Sequence, residues 1–319
     1  MKHFFKITLS FFALLSFGCA TTNSSTVKKD NGQKEAAVPR KMTSLIKDSD
    51  SEKDKSDIPD LKELSATTKK GGLNPLCNTD PVLPGNLDKD LPIEELHLKA
   101  IEYIYNQNTQ GAISILAFII QKAPEDSVLR SDYGTALLQC GMINEGIKEF
   151  EQAFELNPDD ADIAANLGQA YQIGGRMHAS EAAYRKAVEL APKDGDKYNN
   201  LAIVLLAIGE LDNAEQTVRK AILLNPENTD FLINLGYILT RLNRLEDARI
   251  ILERAVKKEP KNANAHNMLG FVYAAQKKDD LATDCFKKAL EIDPDHAGAK
   301  ENLKAMGQPF DMEGPWNNK

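Results

Sequence analysis

Six prolines recur along the chain at a constant interval of 34 residues. They are Pro124, Pro158, Pro192, Pro226, Pro260 and Pro294. A fixed period of this length predicts a series of similar supersecondary units, each too small to bury its apolar face alone. The chain is therefore predicted to fold as a stacked array of units rather than around one central core.

Small and large residues also recur when each proline is numbered 32 within its unit. The six units then begin at Ile93, Ser127, Ala161, Gly195, Thr229 and Ala263. Position 8 is always Gly or Ala, and position 24 is Leu116, Phe150, Tyr184, Val218, Leu252 or Phe286. A small residue facing a large one allows two helices to approach closely, which predicts a helical hairpin in each unit.

This pattern resembles the tetratricopeptide repeat (TPR). The resemblance implies an all-α fold: a TPR α-solenoid of six helix-turn-helix repeats in a right-handed superhelix. Residues 297–306 are predicted to form a capping helix, because Lys300, Glu301 and Lys304 give them a polar outer face. The predicted TPR domain therefore spans residues 93–306, and residues 307–319 form a tail.

The N-terminus has the features of a secretory signal. Lys2, His3 and Lys6 precede a short apolar stretch, and Gly18 precedes Cys19. Residues 15–19 resemble a bacterial lipobox, although Ser16 stands where that motif most often has Leu. The resemblance implies that residues 1–18 are removed and that Cys19 is lipidated. An ordinary signal peptide, or a soluble secreted protein, is the alternative. Ala20, in place of an Asp that would resemble a retention signal, favours the outer membrane, facing the periplasm.

Residues 19–92 have the composition of a disordered linker. They contain a mixed-charge run at 47–60 and several Gly and Pro residues, and no sustained apolar periodicity. The charge is not evenly spread along the chain. Residues 93–319 contain 25 Lys/Arg and 35 Asp/Glu, and this acidic excess argues against a nucleic acid partner.

Helix A of each repeat is expected to line a concave binding face with its positions 2, 5, 9, 12 and 13, bordered by position 6. Asn at position 6 offers both a donor and an acceptor to a peptide backbone. It also suits hydrogen bonds between neighbouring helices, and the sequence leaves the two roles open. We expect an extended peptide to lie across repeats 3 to 6, in contact with Asn166, Asn199, Asn200, Ile203, Asn234, Tyr237, Arg241, Asn267 and Phe271. Asp162, Asp196 and Asp230 at position 2 argue against a carboxylate clamp.

No catalytic motif, metal site, cofactor site or small-molecule substrate is indicated by the sequence. The histidines are dispersed, and His266 is predicted to be a packed helix residue. Cys77, Cys140 and Cys285 have no CxxC spacing, and one disulfide among them is conceivable. Cys140 and Cys285 are read as small buried residues, and Cys77 as a free or partner-directed thiol.

A lipobox, a linker and six TPRs together resemble two bacterial groups, the TadD-type lipoproteins of Flp pilus assembly and the PilF-type pilotins. The resemblance implies a non-enzymatic, membrane-anchored scaffold that binds a peptide segment of an envelope assembly or secretion machine of the pilus or secretin type. The long linker departs from both groups. The alternative is an adaptor that recruits peptidoglycan hydrolases or other cell-wall enzymes, as NlpI-type lipoproteins do. An enzyme is a distant third.

Overall fold

The computed structural model describes residues 83–85, 87–106 and 108–307. The predicted signal peptide, Cys19, most of the predicted linker and residues 308–319 lie outside the described residues. Within the described residues the chain forms thirteen α-helices and no strand. The helices are α1 (Ile93–Tyr105), α2 (Thr109–Lys122), α3 (Ser127–Gln139), α4 (Ile143–Leu156), α5 (Ala161–Ile173), α6 (Met177–Leu190), α7 (Gly195–Ala207), α8 (Leu211–Leu224), α9 (Thr229–Arg241), α10 (Leu245–Lys258), α11 (Ala263–Ala275), α12 (Asp279–Ile292) and α13 (Ala297–Ala305).

The chain divides into two compact units that adjoin in the sequence between Glu210 and Leu211. Helices α1 to α7 belong to the N-terminal unit, and α8 to α13 belong to the C-terminal unit. Within each unit, a helix packs chiefly against its neighbours in sequence. Consecutive helix pairs without strands are the architecture of a TPR α-solenoid, so the predicted fold class is confirmed.

The odd-numbered helices are the A helices of the repeats. Each of the first six begins at the residue that the proline period gives as position 1, and α13 begins at Ala297. Polar N-cap residues account for the sharp starts of the A helices after α1, which follows Pro92 instead. Asp126, Asp160 and Asp194 each accept hydrogen bonds from two backbone N–H groups of the following helix. These caps satisfy donors that have no partner in the first helical turn.

The contact between the A and B helices of a repeat depends on the small residue at position 8. A Cβ atom on Gly134 would stand 2.8 Å from the ring of Phe150, and one on Gly236 would stand 2.5 Å from Cγ of Leu252. No real Cβ makes so short a contact without displacement. The large residue at position 24 therefore fills the space that glycine leaves, as the repeat pattern predicts.

The first repeat is covered by apolar residues that precede it, and the last repeat is covered by a helix with a polar outer face. Leu83, Leu87 and Leu91 precede α1 and pack against the core of the first repeats. The sequence assigns these three residues to the linker, but their side chains cover apolar surface that a first repeat leaves open. At the other end, α13 buries Leu303 and exposes Lys304, as expected of a capping helix.

Candidate functional site

The A helices of each unit share a face formed by positions 2, 5, 6, 9, 12 and 13, which we call the A-helix face. In the N-terminal unit this face belongs to α1, α3, α5 and α7. In the C-terminal unit it belongs to α9, α11 and α13. Every residue that the sequence predicts to bind peptide lies on this face in one unit or the other.

Successive A helices are joined by a side-chain pair that repeats in the same register. The residue at position 5 of one repeat contacts the residue at position 6 of the next, 35 residues later. In the N-terminal unit, Nε2 of His97 lies 2.6 Å from Oδ2 of Asp132, and Asn166 donates to Oγ of Ser131 at 3.2 Å. In both pairs a polar residue at position 6 joins its helix to the preceding A helix through a polar partner at position 5.

The same pair occurs in the C-terminal unit, between α11 and α13. Nδ2 of Asn302 donates to Oδ1 of Asn267 at 3.0 Å. Both residues are buried, and Oδ1 of Asn302 has no hydrogen-bond partner in the described part of the chain. A buried acceptor without a donor costs free energy, on the order of 1–3 kcal/mol.

Asn200 on α7 departs from the register. The residue 35 positions earlier is Ala165, which has no polar side chain to offer. Asn200 is half-buried, and among the described residues its carboxamide makes no hydrogen bond. One turn later on the same face, Ile203 is also half-buried. Of the asparagines predicted to contact peptide at position 6, Asn200 has the carboxamide that the fold leaves unused.

The other predicted residues differ in how far they reach solvent. In the N-terminal unit Asn199 is buried and Asn166 is half-buried. In the C-terminal unit Asn234, Tyr237 and Asn267 are buried, Phe271 is half-buried and Arg241 is exposed. Asn199, Asn234 and Tyr237 each take part in an interaction of their own. Surface contact by a ligand is thus most direct at Asn200, Ile203, Arg241 and Phe271.

Four exposed apolar residues on the A-helix face are not among the residues that the sequence predicts to bind peptide. Leu98 and Ile101 lie on α1, Val128 on α3 and Ile173 on α5, all in the N-terminal unit. The signal was present in the register, because Leu98 occupies position 6, where most later repeats have Asp or Asn. Val128 likewise occupies position 2, which is acidic in four of the other repeats.

An ion-pair cluster joins α5 to α7 on the same unit. Nζ of Lys197 lies 2.6 Å from Oδ1 of Asp162 and 2.7 Å from Oδ2 of Asp194. Burial raises the pKa of the Asp194 carboxyl, but the hydrogen bond and charge of Lys197 outweigh burial and hold this pKa below its ordinary value. Burial also raises the pKa of the Asp196 carboxyl, and the nearby charge of Asp194 raises it further.

Two histidines of the C-terminal unit have structural partners. Nε2 of His266 lies 3.0 Å from the carbonyl oxygen of Pro260, and Nδ1 of His296 accepts from the backbone of Ala299 at the start of α13. No cluster of His, Cys, Asp or Glu in the described residues could hold a metal ion. In the same residues, no helix combines the length and the apolar character needed to span a membrane.

Family comparisons identify the repeats. A family described as the middle TPR-like domain of cilia and flagella-associated protein 70 matches residues 165–284, and a TPR repeat family matches residues 134–175. Neither match reaches half of the chain. A comparison with curated protein sequences gives no match.

Two of the similar solved structures, PilF and TTC0263, show the same fold at low sequence identity. PilF of Pseudomonas aeruginosa has 15% identity and a TM-score of 0.56, over 68% of this chain and 98% of its own. TTC0263, a TPR protein of Thermus thermophilus, has 20% identity and a TM-score of 0.50, over 56% of this chain and 98% of its own. YrrB, described as a TPR protein with an unusual peptide-binding site, has 22% identity and a TM-score of 0.46, over 59% of this chain and 97% of its own.

Proposed function

We propose that this TPR chain is a non-enzymatic scaffold that holds an extended peptide segment of a protein partner on its A-helix face. A lipid on Cys19 anchors it to the outer membrane, where it faces the periplasm. The partner belongs to an envelope assembly or secretion machine of the pilus or secretin type. The sequence resemblance to TadD-type and PilF-type lipoproteins supports this last, finer step.

The proposal of peptide binding rests chiefly on the carboxamide of Asn200, which makes no hydrogen bond within the described residues. Asn166 and Asn302 occupy the same position of their repeats. The carboxamide nitrogen of each donates a hydrogen bond to a side chain of the preceding A helix. Asn200 has both its donor and its acceptor available, and one peptide unit presents one acceptor and one donor. Ile203 beside it supplies apolar contact. An extended backbone therefore finds hydrogen bonds there that do not depend on its side-chain sequence.

Site-specific photo-crosslinking in the native cell tests this proposal. A photoreactive amino acid replaces Asn200 in one variant and Leu223 in the control variant. Leu223 is exposed on the B helix α8 of the other unit, so the control reports contacts away from the A-helix face. We expect the Asn200 variant to give an adduct whose crosslinked peptide maps to a single segment of one envelope protein. Adducts from the Leu223 variant alone would contradict peptide binding on the A-helix face.

The identity of the crosslinked protein separates the candidate functions. A pilus or secretin component supports the machine that we propose. A peptidoglycan hydrolase instead supports the alternative of a cell-wall adaptor, and leaves the binding face unchanged.

The anchor has a separate test. Metabolic labelling with palmitate is expected to mark the native chain and to be abolished by Cys19→Ser. Labelling that persists in Cys19→Ser would contradict lipidation at this cysteine. Fractionation of the native protein with the inner membrane would contradict the outer-membrane location alone.

A further inference from the structure

The A-helix face of the N-terminal unit carries four exposed apolar side chains. Leu98, Ile101, Val128 and Ile173 are 66%, 44%, 52% and 42% exposed. They stand at positions 6, 9, 2 and 13 of their repeats, all of which belong to the A-helix face. Apolar side chains that gather on one face of several neighbouring helices are typical of an interaction surface, whereas single exposed residues are not.

Side-chain pairs place these helices next to one another. His97 and Asp132 join α1 to α3, and Asn166 donates to Ser131 to join α3 to α5. Lys197 and Asp162 then join α5 to α7. Because each step links adjacent A helices, the four helices present a continuous face within this unit.

The charged residues at the face positions of this unit are acidic. The six face positions of α1, α3, α5 and α7 include Glu94, Asp132, Asp162 and Asp196, and no Lys or Arg. Asp132 is paired with His97 and Asp162 with Lys197. Glu94 and Asp196 are exposed, and neither forms an ion pair within the described residues.

An added cation would stabilise the ionised carboxyl of Asp196. Burial raises the pKa of its carboxyl, and the charge of Asp194 raises it further. Together they outweigh the nearby charge of Lys197, which favours the ionised form. A Lys or Arg of the ligand would add to the effect of Lys197. An acidic ligand would add to the same repulsion instead, so the local field discriminates between ligands by the sign of their charge.

We propose that the N-terminal unit binds a partner segment that is both basic and apolar. This inference rests on the proposed function and adds the chemistry of the bound peptide. Lys or Arg side chains of the segment lie toward Glu94 and Asp196, and Leu, Ile, Val or Phe side chains contact Leu98, Ile101 and Val128. Three helix-to-helix steps of about 8–10 Å separate α1 from α7. An extended segment of roughly eight or nine residues is long enough to span them.

Selection from a displayed library of random peptides tests this chemistry with the full-length protein. We expect the enriched peptides to be rich in both basic and large apolar residues. Enrichment of acidic peptides, enrichment without charge preference, or failure to enrich any peptide would overturn the inference.

Paired variants then locate the binding of a selected peptide. Leu98→Ser with Ile101→Ser removes exposed apolar surface, and we expect affinity to fall on the order of 10-fold. Glu94→Gln with Asp196→Asn removes charge, and we expect a loss of roughly 3- to 10-fold at low salt that shrinks at high salt. The matched control is Leu223→Ser with Ile250→Ser, which alters exposed apolar residues on B helices and should leave affinity unchanged.

The outcomes separate this inference from the function on which it rests. Affinity that falls in Asn200→Ala but not in Glu94→Gln with Asp196→Asn would overturn the basic specificity and leave peptide binding in place. Affinity that falls only in the B-helix control would overturn both. Thermal melting of each variant confirms that it is folded, and little change is expected because all of the substituted residues reach solvent.

Discussion

The carboxamide nitrogen of Asn302 donates a hydrogen bond to Oδ1 of Asn267, which lies 35 residues earlier in the chain. Asn166 and Ser131 repeat this relationship in the N-terminal unit. In these pairs a polar residue at position 6 is part of the contact between repeats, because position 5 of the preceding repeat is also polar. Asn200 is the exception, because the residue 35 positions earlier is Ala165, which has no polar side chain. Its carboxamide is the group that we propose binds the peptide backbone.

Asn166 and Asn200 are expected to behave in opposite ways when each is replaced by Ala. Asn166→Ala removes the hydrogen bond to Ser131 and should lower the free energy of unfolding by about 0.5–1.5 kcal/mol. Asn200→Ala removes no hydrogen bond within the described residues, so it should leave stability nearly unchanged and weaken peptide binding instead. Denaturant unfolding and peptide titration of both variants check the contrast. Equal losses of stability would show that Asn200 also joins helices.

Gly236 is expected to tolerate no side chain unless Leu252 becomes smaller. Gly236→Ala places a Cβ where Cγ of Leu252 would be 2.5 Å away, and overfilling of this kind costs roughly 1–3 kcal/mol. Leu252→Ala removes Cγ and both Cδ atoms, so the double variant should lose less stability than the sum of the two single variants. We expect a coupling free energy on the order of 1 kcal/mol from the double-mutant cycle. Additive losses would indicate that the two helices move apart instead.

Lys197→Met is expected to destabilise the chain in a pH-dependent way. Burial lowers the pKa of Lys197, but its bonds to Asp162 and Asp194 outweigh burial and raise this pKa. The pKa of Asp194 is held below its ordinary value of 3.8. Asp194 therefore contributes stability above pH 3.8 and loses it as pH falls through the lower folded pKa. The stability that Lys197 contributes is fully present below pH 10.5, and it is lost as the pH rises through the raised pKa of the folded state.

Unfolding measured from neutral to acidic pH checks this prediction. Near neutral pH the variant should lose about 1 kcal/mol, because the half-buried carboxylate of Asp194 loses its cation while solvent screens part of the effect. The difference from the native protein should shrink once the carboxyl is protonated. A difference that stays constant through the acid range would mean that Lys197 stabilises by packing alone.

The cysteines give a prediction that also tests the lipid anchor. Cys140 is bonded in a disulfide, whereas Cys285 is a free thiol whose pKa burial, Asp284 and Glu253 raise to about 11. Of the four cysteines in the chain, Cys19 and Cys77 remain as candidate partners of Cys140. A lipid on Cys19 would occupy its sulfur, so we expect the bond to Cys77, which lies outside the described residues. Peptide mapping without reduction decides, and a Cys19–Cys140 bond would contradict lipidation.

The repeat register was predictable because it depends on local rules. The proline period and the small residue at position 8 fix where helices start and where they touch, and the helices begin at those residues. Pairs between repeats were harder to predict, because they depend on which side chains meet 35 residues apart. The sequence contains the pairs His97 and Asp132, and Asn267 and Asn302. Their contacts could be predicted only after adjacent A helices had been aligned with one another.

The candidate site was less predictable than the fold. Tyr237 and Asn267 have the residue types of a peptide-binding face, yet both are buried, because an A helix packs against helices on several sides. Leu98 and Val128 have ordinary core residue types, yet they are exposed. Residue type and repeat position alone do not give the accessible area, which depends on every helix packed against the residue.

Methyl NMR of the full-length protein, titrated with a library-selected peptide, tests peptide binding on the A-helix face most directly. The reporters are methyl groups of Leu98, Ile101, Val128 and Ile173 on this face, and of Leu223 and Ile250 on B helices. We predict that the peptide shifts the first group and leaves the second unchanged. Shifts confined to Leu223 and Ile250, with the first group unperturbed, would contradict the account.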